Sequence, residues 1–328
     1  MRALVTGVTG QDGSYLAEQL LSLGWEVHGL TRRPDKILAV SEMLVHYGDL
    51  GDADRLRSVV SEVMPDVIFN LGGISSVAQS WKSPELTTSV SGAAVGTLLE
   101  AAWQLQEKEG HRVRFLQASS SEIFGHAKET PQNELTPIAP TNPYGVAKAL
   151  AHQLTSVYRS RGLWASNVIL FNHESPRRPE SFVTRKITMG AARIASGRQD
   201  KIYLGNLDSR RDWGWAPDYV DAMVRVSALA DPSDFVISSG RMHSVREFAK
   251  AALQAAGIPD WEEHIEVDDR FLRPVDAVET CGDNSRLHEA TGWQPLMPFE
   301  EIVKKMVYYD LHLLQEVNGS EPSTEQLQ

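Results

Sequence analysis

One cysteine, Cys281, in 328 residues leaves no partner for an intrachain disulfide, so the chain suits a reducing compartment. It reads as a small buried apolar residue rather than a nucleophile. An excess of positive charge is also missing. Lys and Arg number 32 against 43 Asp and Glu, a net charge of −11, which argues against a nucleic-acid surface as the main business. Local basic clusters must then serve smaller anions. No apolar run approaches the roughly 20 residues of a membrane span, and Met1-Arg2 leads straight into Ala-Leu-Val-Thr with no secretory leader pattern. A soluble, cytoplasmic protein is the expectation. Ten histidines are scattered without paired ligand spacing, so no metal is expected.

What is present is ordinary for a globular chain: 42% hydrophobic and 23% charged residues, in a length that holds one large α/β domain with or without a smaller partner. Short apolar runs read as strands at Ala3–Thr6, Glu26–Leu30, Val67–Asn70, Val113–Ala118 and Asn167–Phe171. Helical periodicity falls between them, at Ser14–Leu23, Ala53–Val63, Leu86–Gln106 and Pro143–Arg159. Such alternation predicts a doubly wound parallel sheet. After about residue 172 the pattern loosens into a polar, proline-punctuated segment. Helices at Phe182–Ser196, Pro217–Leu229 and Val245–Ala256, with a short strand at Phe235–Ser238, follow it. Residues 1–171 are therefore read as mainly the cofactor-binding domain and 172–317 as mainly a smaller, interleaved substrate domain. The polar tail 318–328 is read as frayed.

Tyr144 and Lys148 stand four apart and share one helical face. Asn142 suits the N-cap and Pro143 the first helical position, so both fall in the first turns. A tyrosine with a pKa near 10 is a poor base at neutral pH, but a nearby ammonium lowers that pKa, and Lys148 is placed to do so. The strand ending at Ala118 runs into Ser119-Ser120-Ser121-Glu122. In extended backbone Ser120 and Glu122 project to the same side, a hydroxyl and a carboxylate facing one pocket. The set suggests hydride chemistry with an extra acid/base.

The first strand is followed by Gly7-Val-Thr9-Gly10-Gln11-Asp12-Gly13, where glycines permit a tight turn and let a pyrophosphate approach backbone N–H groups at a helix N-terminus. The second strand ends in Arg32-Arg33 rather than an acidic residue. Two guanidiniums suit a ribose 2′-phosphate, so NADP is preferred over NAD.

Taken with Thr6-Gly-Val-Thr-Gly-Gln-Asp-Gly-Ser-Tyr-Leu-Ala-Glu18, three segments carry a resemblance: Leu170-Phe-Asn-His-Glu-Ser-Pro-Arg-Arg178, Phe182-Val-Thr-Arg-Lys-Ile187 and Gly205-Asn-Leu-Asp-Ser-Arg-Arg-Asp-Trp-Gly214. The chain resembles the GDP-mannose 4,6-dehydratases of the extended short-chain dehydrogenase/reductase superfamily. The resemblance covers almost its whole length. It implies a Rossmann-type doubly wound sheet with a smaller, interleaved C-terminal substrate-binding domain. It also implies conversion of GDP-α-D-mannose to GDP-4-dehydro-6-deoxy-D-mannose through an internal hydride cycle on NADP. By the same matching, Tyr144 starts oxidation at C4, Ser120 binds the 4-hydroxyl where threonine is usual, and Glu122 is the acid/base of elimination across C5–C6. Lys148 would hold the nicotinamide ribose, His173 and Arg178 would contact the cofactor, and Asp49-Leu50 would lie against its adenine. Asn172, Lys186, Arg211 and Arg273 would hold the nucleotide sugar.

Departures from the family pattern bear on the cofactor. After Leu71, where Ala-Ala-Gln-Ser is usual, the chain has Gly72-Gly73-Ile-Ser75 beside the cofactor, and Leu86 replaces a common cofactor-contacting tyrosine. A looser cofactor grip is expected. The loop after Arg33 is short where many relatives carry a longer Ser-rich loop that helps make a tetramer. A homodimer is the expectation, a tetramer the alternative. Two other functions stand beside the dehydratase: a reductase of the 4-keto product, alone or in a bifunctional enzyme, and a non-catalytic NADP-binding regulator.

Overall fold

The structure is a computed structural model that describes residues 1–33, 42–271 and 279–319. Strand β1 (Arg2–Thr6) is buried from Ala3 onward, as a central parallel strand must be when helices cover both faces. The chain continues through α1 (Gln11–Ser22), β2 (Glu26–Thr31), β3 (Leu44–Tyr47), α2 (Ala53–Val63) and β4 (Val67–Asn70). Next come α3 (Val77–Lys82), α4 (Pro84–Thr88), α5 (Ala94–Glu109), β5 (Arg114–Ser120), α6 (Pro143–Ser160) and β6 (Trp164–Leu170). The second half contributes β7 (Asn172–Glu174), α7 (Val183–Ala195), β8 (Ile202–Leu204), β9 (Arg210–Trp215), α8 (Ala216–Ser227) and β10 (Asp234–Ile237). It ends with β11 (Met242–Ser244), α9 (Val245–Ala255), β12 (Ile265–Val267), β13 (Glu279–Thr280), α10 (Ser285–Thr291) and α11 (Phe299–Gly319).

Seven parallel strands form the main sheet in the order β10-β6-β5-β4-β1-β2-β3. The chain leaves β1 in one direction to β2 and β3, then returns to β4 on the other side. The strand order therefore reverses between β1 and β4, and a crevice opens at the carboxyl ends of these strands. One face is covered by α1 and α8, where Leu16, Ala17 and Leu20 pack with Tyr219, Val220 and Met223. The other is covered by α2 and α5, through Leu56, Val59, Val60, Leu98 and Leu99. Each valine, leucine or methionine among them, removed from water, contributes about 1.5–3 kcal/mol before the entropy cost of ordering it.

The expected helix over 86–106 is in fact α4, a π-helical turn at Ser89–Ala93, and α5. The π turn lies against α6. A Cβ on Gly92 would meet the Ala147 carbonyl oxygen at 3.2 Å. Strand β3 has no counterpart in the sequence reading, and neither does α11.

Smaller sheets complete the architecture. Strand β9 pairs antiparallel with β11 and parallel with β7 and β13, while β8 pairs with β12. Helices α7, α9 and α11 close a second core around Ile187, Trp213, Phe248, Ile302 and Met306. A buried ion pair ties α7 to α11, with Arg185 and Thr188 both on Asp310. Strand β10, read from sequence within the substrate region, belongs instead to the large sheet, where it pairs with β6. The polar segment after residue 171 contains β7, which enters the second sheet with only Phe171 between it and β6. Among the described residues no helix is long and apolar enough to cross a membrane, and no group of three or more His, Cys, Asp or Glu is placed to hold a metal ion.

Candidate active site

The ends of β1, β4 and β5 are tied by side chains as well as backbone. Thr6 Oγ1 donates to Asn70 Oδ1 (2.7 Å) and accepts from Gly72 N (2.9 Å), and Asn70 Nδ2 donates to Gln117 Oε1 (2.7 Å). These buried bonds were not read from the sequence, because each residue looks like ordinary strand-end polarity. They fix the edge of the crevice. The turn from β1 into α1 is tight enough that a Cβ on Gly13 would fall 2.3 Å from the Gly7 carbonyl oxygen. No side chain caps α1, which leaves its first N–H groups for an anion.

Around this turn lie Thr9, Gly10, Gln11 and Asp12, with Leu71, Gly72, Gly73 and Ser75 across the crevice. Arg32 and Arg33 follow β2 at the far end. Arg32 Nη1 is 3.3 Å from Asp49 Oδ2, and both arginines line the crevice beside Asp49 and Leu50. Gln11 spends its buried amide on the second sheet, with Nε2 donating to the His173 carbonyl (3.1 Å) and Oε1 accepting from Ser175 Oγ (2.8 Å). Asp12 pairs with His173 Nε2 at 2.9 Å, and the imidazole stacks on Tyr219. Burial opposes both charges, but their mutual attraction prevails: Asp12 is held below the usual carboxylate range and His173 is raised.

At the chemical end, β5 finishes at Ser120 and residues Ser121–Ile123 form a 3₁₀ turn. The extended geometry expected there is replaced by this turn, in which Glu122 N donates to Ser120 Oγ (3.3 Å). Both side chains still reach the crevice. Helix α6 begins as its capping residues predict, with Asn142 Oδ1 accepting from Gly145 N (2.8 Å). The same amide donates through Nδ2 to Glu122 Oε2 (2.7 Å). Lys148 Nζ donates to the Ala118 carbonyl (2.9 Å) and stands 5.9 Å from the Tyr144 ring centroid.

The sequence spacing predicts a tyrosine pKa lowered by Lys148; the structure has it raised, because Tyr144 is buried. Burial pushes Tyr144 up to about 12, with Ser120 drawing it down and Glu122 adding to the rise. Burial likewise brings Lys148 down to about 8, opposed by Asp12.

A third group of side chains comes from the second sheet and its helices. Asn172 is on β7, Lys186 on α7 and Arg211 on β9, and all three line the crevice. Lys186 Nζ lies 3.2 Å from the Phe271 ring centroid and is a buried atom with no hydrogen-bond partner among the described residues. Burial lowers its pKa, Asp268 opposes that and Arg270 adds to it. Arg178 sits over the Phe182 ring, its Nε buried, 3.3 Å from Glu174 Oε2 and without a hydrogen bond among the described residues. Arg177, by contrast, turns away to Ser14 and Glu18 on α1. Arg273 lies outside the described residues; Arg270, which the sequence reading did not select, lines the crevice.

These groups surround one cleft of about 1570 Å³. Two half-buried cations, each with a buried nitrogen that meets no hydrogen-bond partner among the described residues, and an uncapped helix start fit the diphosphates of a dinucleotide and a nucleotide sugar. The chain matches the family described as GDP-mannose 4,6 dehydratase over residues 4–306. It belongs to that family. GDP-mannose 4,6 dehydratase 1 of Arabidopsis thaliana is 44% identical over 326 residues, covering 95% of this chain and 90% of that one. GDP-mannose 4,6-dehydratase of Yersinia enterocolitica is 42% identical, covering 98% of both. Among solved structures, RMD from Pseudomonas aeruginosa complexed with NADPH superposes with a TM-score of 0.81 at 26% identity, covering 94% of this chain and 99% of that one.

A Cβ on Gly72 would stand 2.8 Å from Leu50 Cδ1 and 3.0 Å from Thr6 Oγ1. Gly72 thus lets the chain at the end of β4 lie close against Leu50 and Thr6.

Proposed function

We propose that the chain converts GDP-α-D-mannose to GDP-4-dehydro-6-deoxy-α-D-mannose and water, with NADP as a recycled cofactor. The observation that carries this reading is a carboxylate, Glu122, sharing one end of the cleft with Tyr144 and Lys148. A plain alcohol dehydrogenase needs one base, whereas elimination needs a second group that both accepts and donates a proton. NADP, when bound, takes hydride from C4 and returns it to C6.

The chain's own residues do the rest. Ser120 holds the 4-hydroxyl and the Tyr144 oxygen takes its proton, which gives a 4-ketone and acidifies the C5–H. Glu122 takes the C5 proton and delivers it to the C6 hydroxyl, which departs as water. A proton, equivalent to the one Tyr144 took, then restores C5. Lys148 holds the cofactor ribose beside Tyr144, and the turn of Gly7, Gly10 and Gly13 holds the pyrophosphate. Arg32 and Arg33 hold the 2′-phosphate and Asp49-Leu50 the adenine side, while Leu71, Gly72, Gly73 and Ser75, with His173 and Arg178, border the nicotinamide half. Asn172, Lys186, Arg211 and Arg273 hold the nucleotide sugar. On this reading the large sheet and its helices serve NADP, and the smaller sheets with α7, α9 and α11 serve the sugar nucleotide.

The reductase and regulator readings are not favoured, since relatives matched over nearly the full length carry the dehydratase name. A homodimer in the cytoplasm is the proposed state. Val146 and Val157, on one face of α6, are about half exposed and support a helix-mediated contact. The test is to incubate the purified protein with GDP-mannose and catalytic NADP⁺. Loss of one water from the nucleotide sugar without net NADPH is expected, and Glu122→Gln should lower this turnover about 10²–10⁴-fold while NADP binding is kept. An unchanged sugar mass with both ligands bound would refute the reading.

A further inference from the structure

Asn142 does more than start a helix. Its Oδ1 accepts from Gly145 N at 2.8 Å, the ordinary duty of an N-cap. Only an oxygen can accept there, so the amide orientation is determined and the NH₂ group is turned to Glu122 Oε2 at 2.7 Å. The asparagine is buried and the glutamate half-buried at the cleft wall, so the amide side of the bond is shielded from water. A second contact joins the same two segments: a Cβ on Gly145 would lie 2.5 Å from the Glu122 carbonyl oxygen. The first turn of α6, which carries Tyr144, is therefore seated directly on the turn that carries Glu122.

We infer that Asn142 is a positioning residue that holds the Glu122 carboxylate for proton transfer at C5 and C6, and that it ties this carboxylate to the Tyr144 helix. The inference rests on the dehydration reading given above. Asn142 itself exchanges no proton; its amide donor suits a carboxylate that must accept one, and it leaves Glu122 Oε1 for the substrate. Oxidation at C4 uses Tyr144, Ser120 and Lys148 and does not call on this bond. Elimination does.

Asn142→Ser keeps a capping oxygen and removes the donor, while Asn142→Asp keeps a strong cap and sets a second carboxylate beside Glu122. Single turnovers with excess enzyme resolve the steps: NADPH absorbance follows C4 oxidation, deuterium entry from D₂O follows C5, and mass follows loss of water. In Asn142→Ser, oxidation should stay close to wild type while C5 exchange and water loss slow by about tenfold to a hundredfold, the factor for one hydrogen bond to a charged group. NADPH should then accumulate. Asn142→Asp should slow elimination further and move its acid limb to higher pH. Equal slowing of both steps, or slowing of neither, in folded variants would overturn the inference. A wild-type protein that loses no water would overturn the dehydration reading instead, so the two failures are distinct.

Discussion

Tyr144 and Lys148 illustrate how burial sets the conditions under which neighbouring groups can react. Sequence spacing alone foretold that they share a helix face, and α6 does begin at Pro143. It did not foretell their protonation, because desolvation depends on what closes over them. With Tyr144 pushed up to about 12 and Lys148 brought down to about 8, the phenol keeps its proton at neutral pH and the amine loses its charge just above it. First-turnover oxidation of the substrate should therefore climb with pH by about tenfold per unit below the bend. It should flatten near pH 8, where the neutralised lysine no longer favours a phenolate. Tyr144→Phe should be slower by about 10²–10⁴-fold and lose the rise. Stopped-flow NADPH formation from pH 6 to 9 is the measurement, and a flat wild-type profile would contradict the argument.

Asp212 fastens β9 to its surroundings from a fully buried position. Its Oδ1 accepts from Ser239 N (2.8 Å) and Ser239 Oγ (2.6 Å), and its Oδ2 from Gly240 N (2.9 Å) and Gly282 N (3.3 Å). Burial nonetheless raises its pKa to about 6, the four donors pulling the other way. A carboxyl whose folded pKa exceeds its unfolded value of about 3.9 binds its proton more tightly in the folded state, so it adds stability as pH falls from above 6 towards 4. Asp212→Asn should cost about 1–3 kcal/mol at pH 7, because an NH₂ group would face two N–H donors. The gap between wild type and variant should widen from pH 7.5 to 5. Thermal melts at both values check the sign.

How far elements could be read from sequence follows from their length and what they pack against. Helix α2 carries Asp52 as its capping residue and a clean apolar stripe, and it occupies the residues expected, Ala53–Val63. Strand β3 is four residues long with no fully buried position, so no periodicity marks it. Strand β7 has three residues among polar neighbours, and β10 gives no sign of which sheet it joins, since parallel pairing with β6 is decided 67 residues away. The site divides in the same way. The residues of the glycine turn, Glu122, Tyr144 and Lys148 stand out by type and spacing. The bond from Asn142 to Glu122 does not, because the capping role already accounted for the asparagine and its other partner is 20 residues back.

At the scale of the molecule, one cleft is bounded by the β1–α1 turn, by β7 and α7, and by β9, so a ligand filling it touches both sheets. A ligand that binds only the folded state adds RT ln(1 + [L]/Kd), about 2.7 kcal/mol at a hundredfold excess over Kd. In a chain of 328 residues, whose unfolding entropy is roughly 0.7 kcal/mol/K, that raises Tm by about 4 °C. The 2′-phosphate of NADP would meet Arg32 and Arg33, while NAD offers them only a hydroxyl. Arg32 is partly engaged by Asp49, but at 3.3 Å with the arginine side chain 60% exposed, a pair worth little that a phosphate can displace. At equal concentrations, NADP⁺ should therefore raise Tm more than NAD⁺. Arg32→Ser with Arg33→Ser should abolish the difference while leaving the NAD⁺ shift in place, since the turn proposed to hold the pyrophosphate is untouched. Raising salt should shrink the NADP⁺ advantage in wild type, because the site is exposed and screened. Equal shifts for the two cofactors in wild type would mean that the arginines do not read the phosphate, and the choice of NADP would need another source.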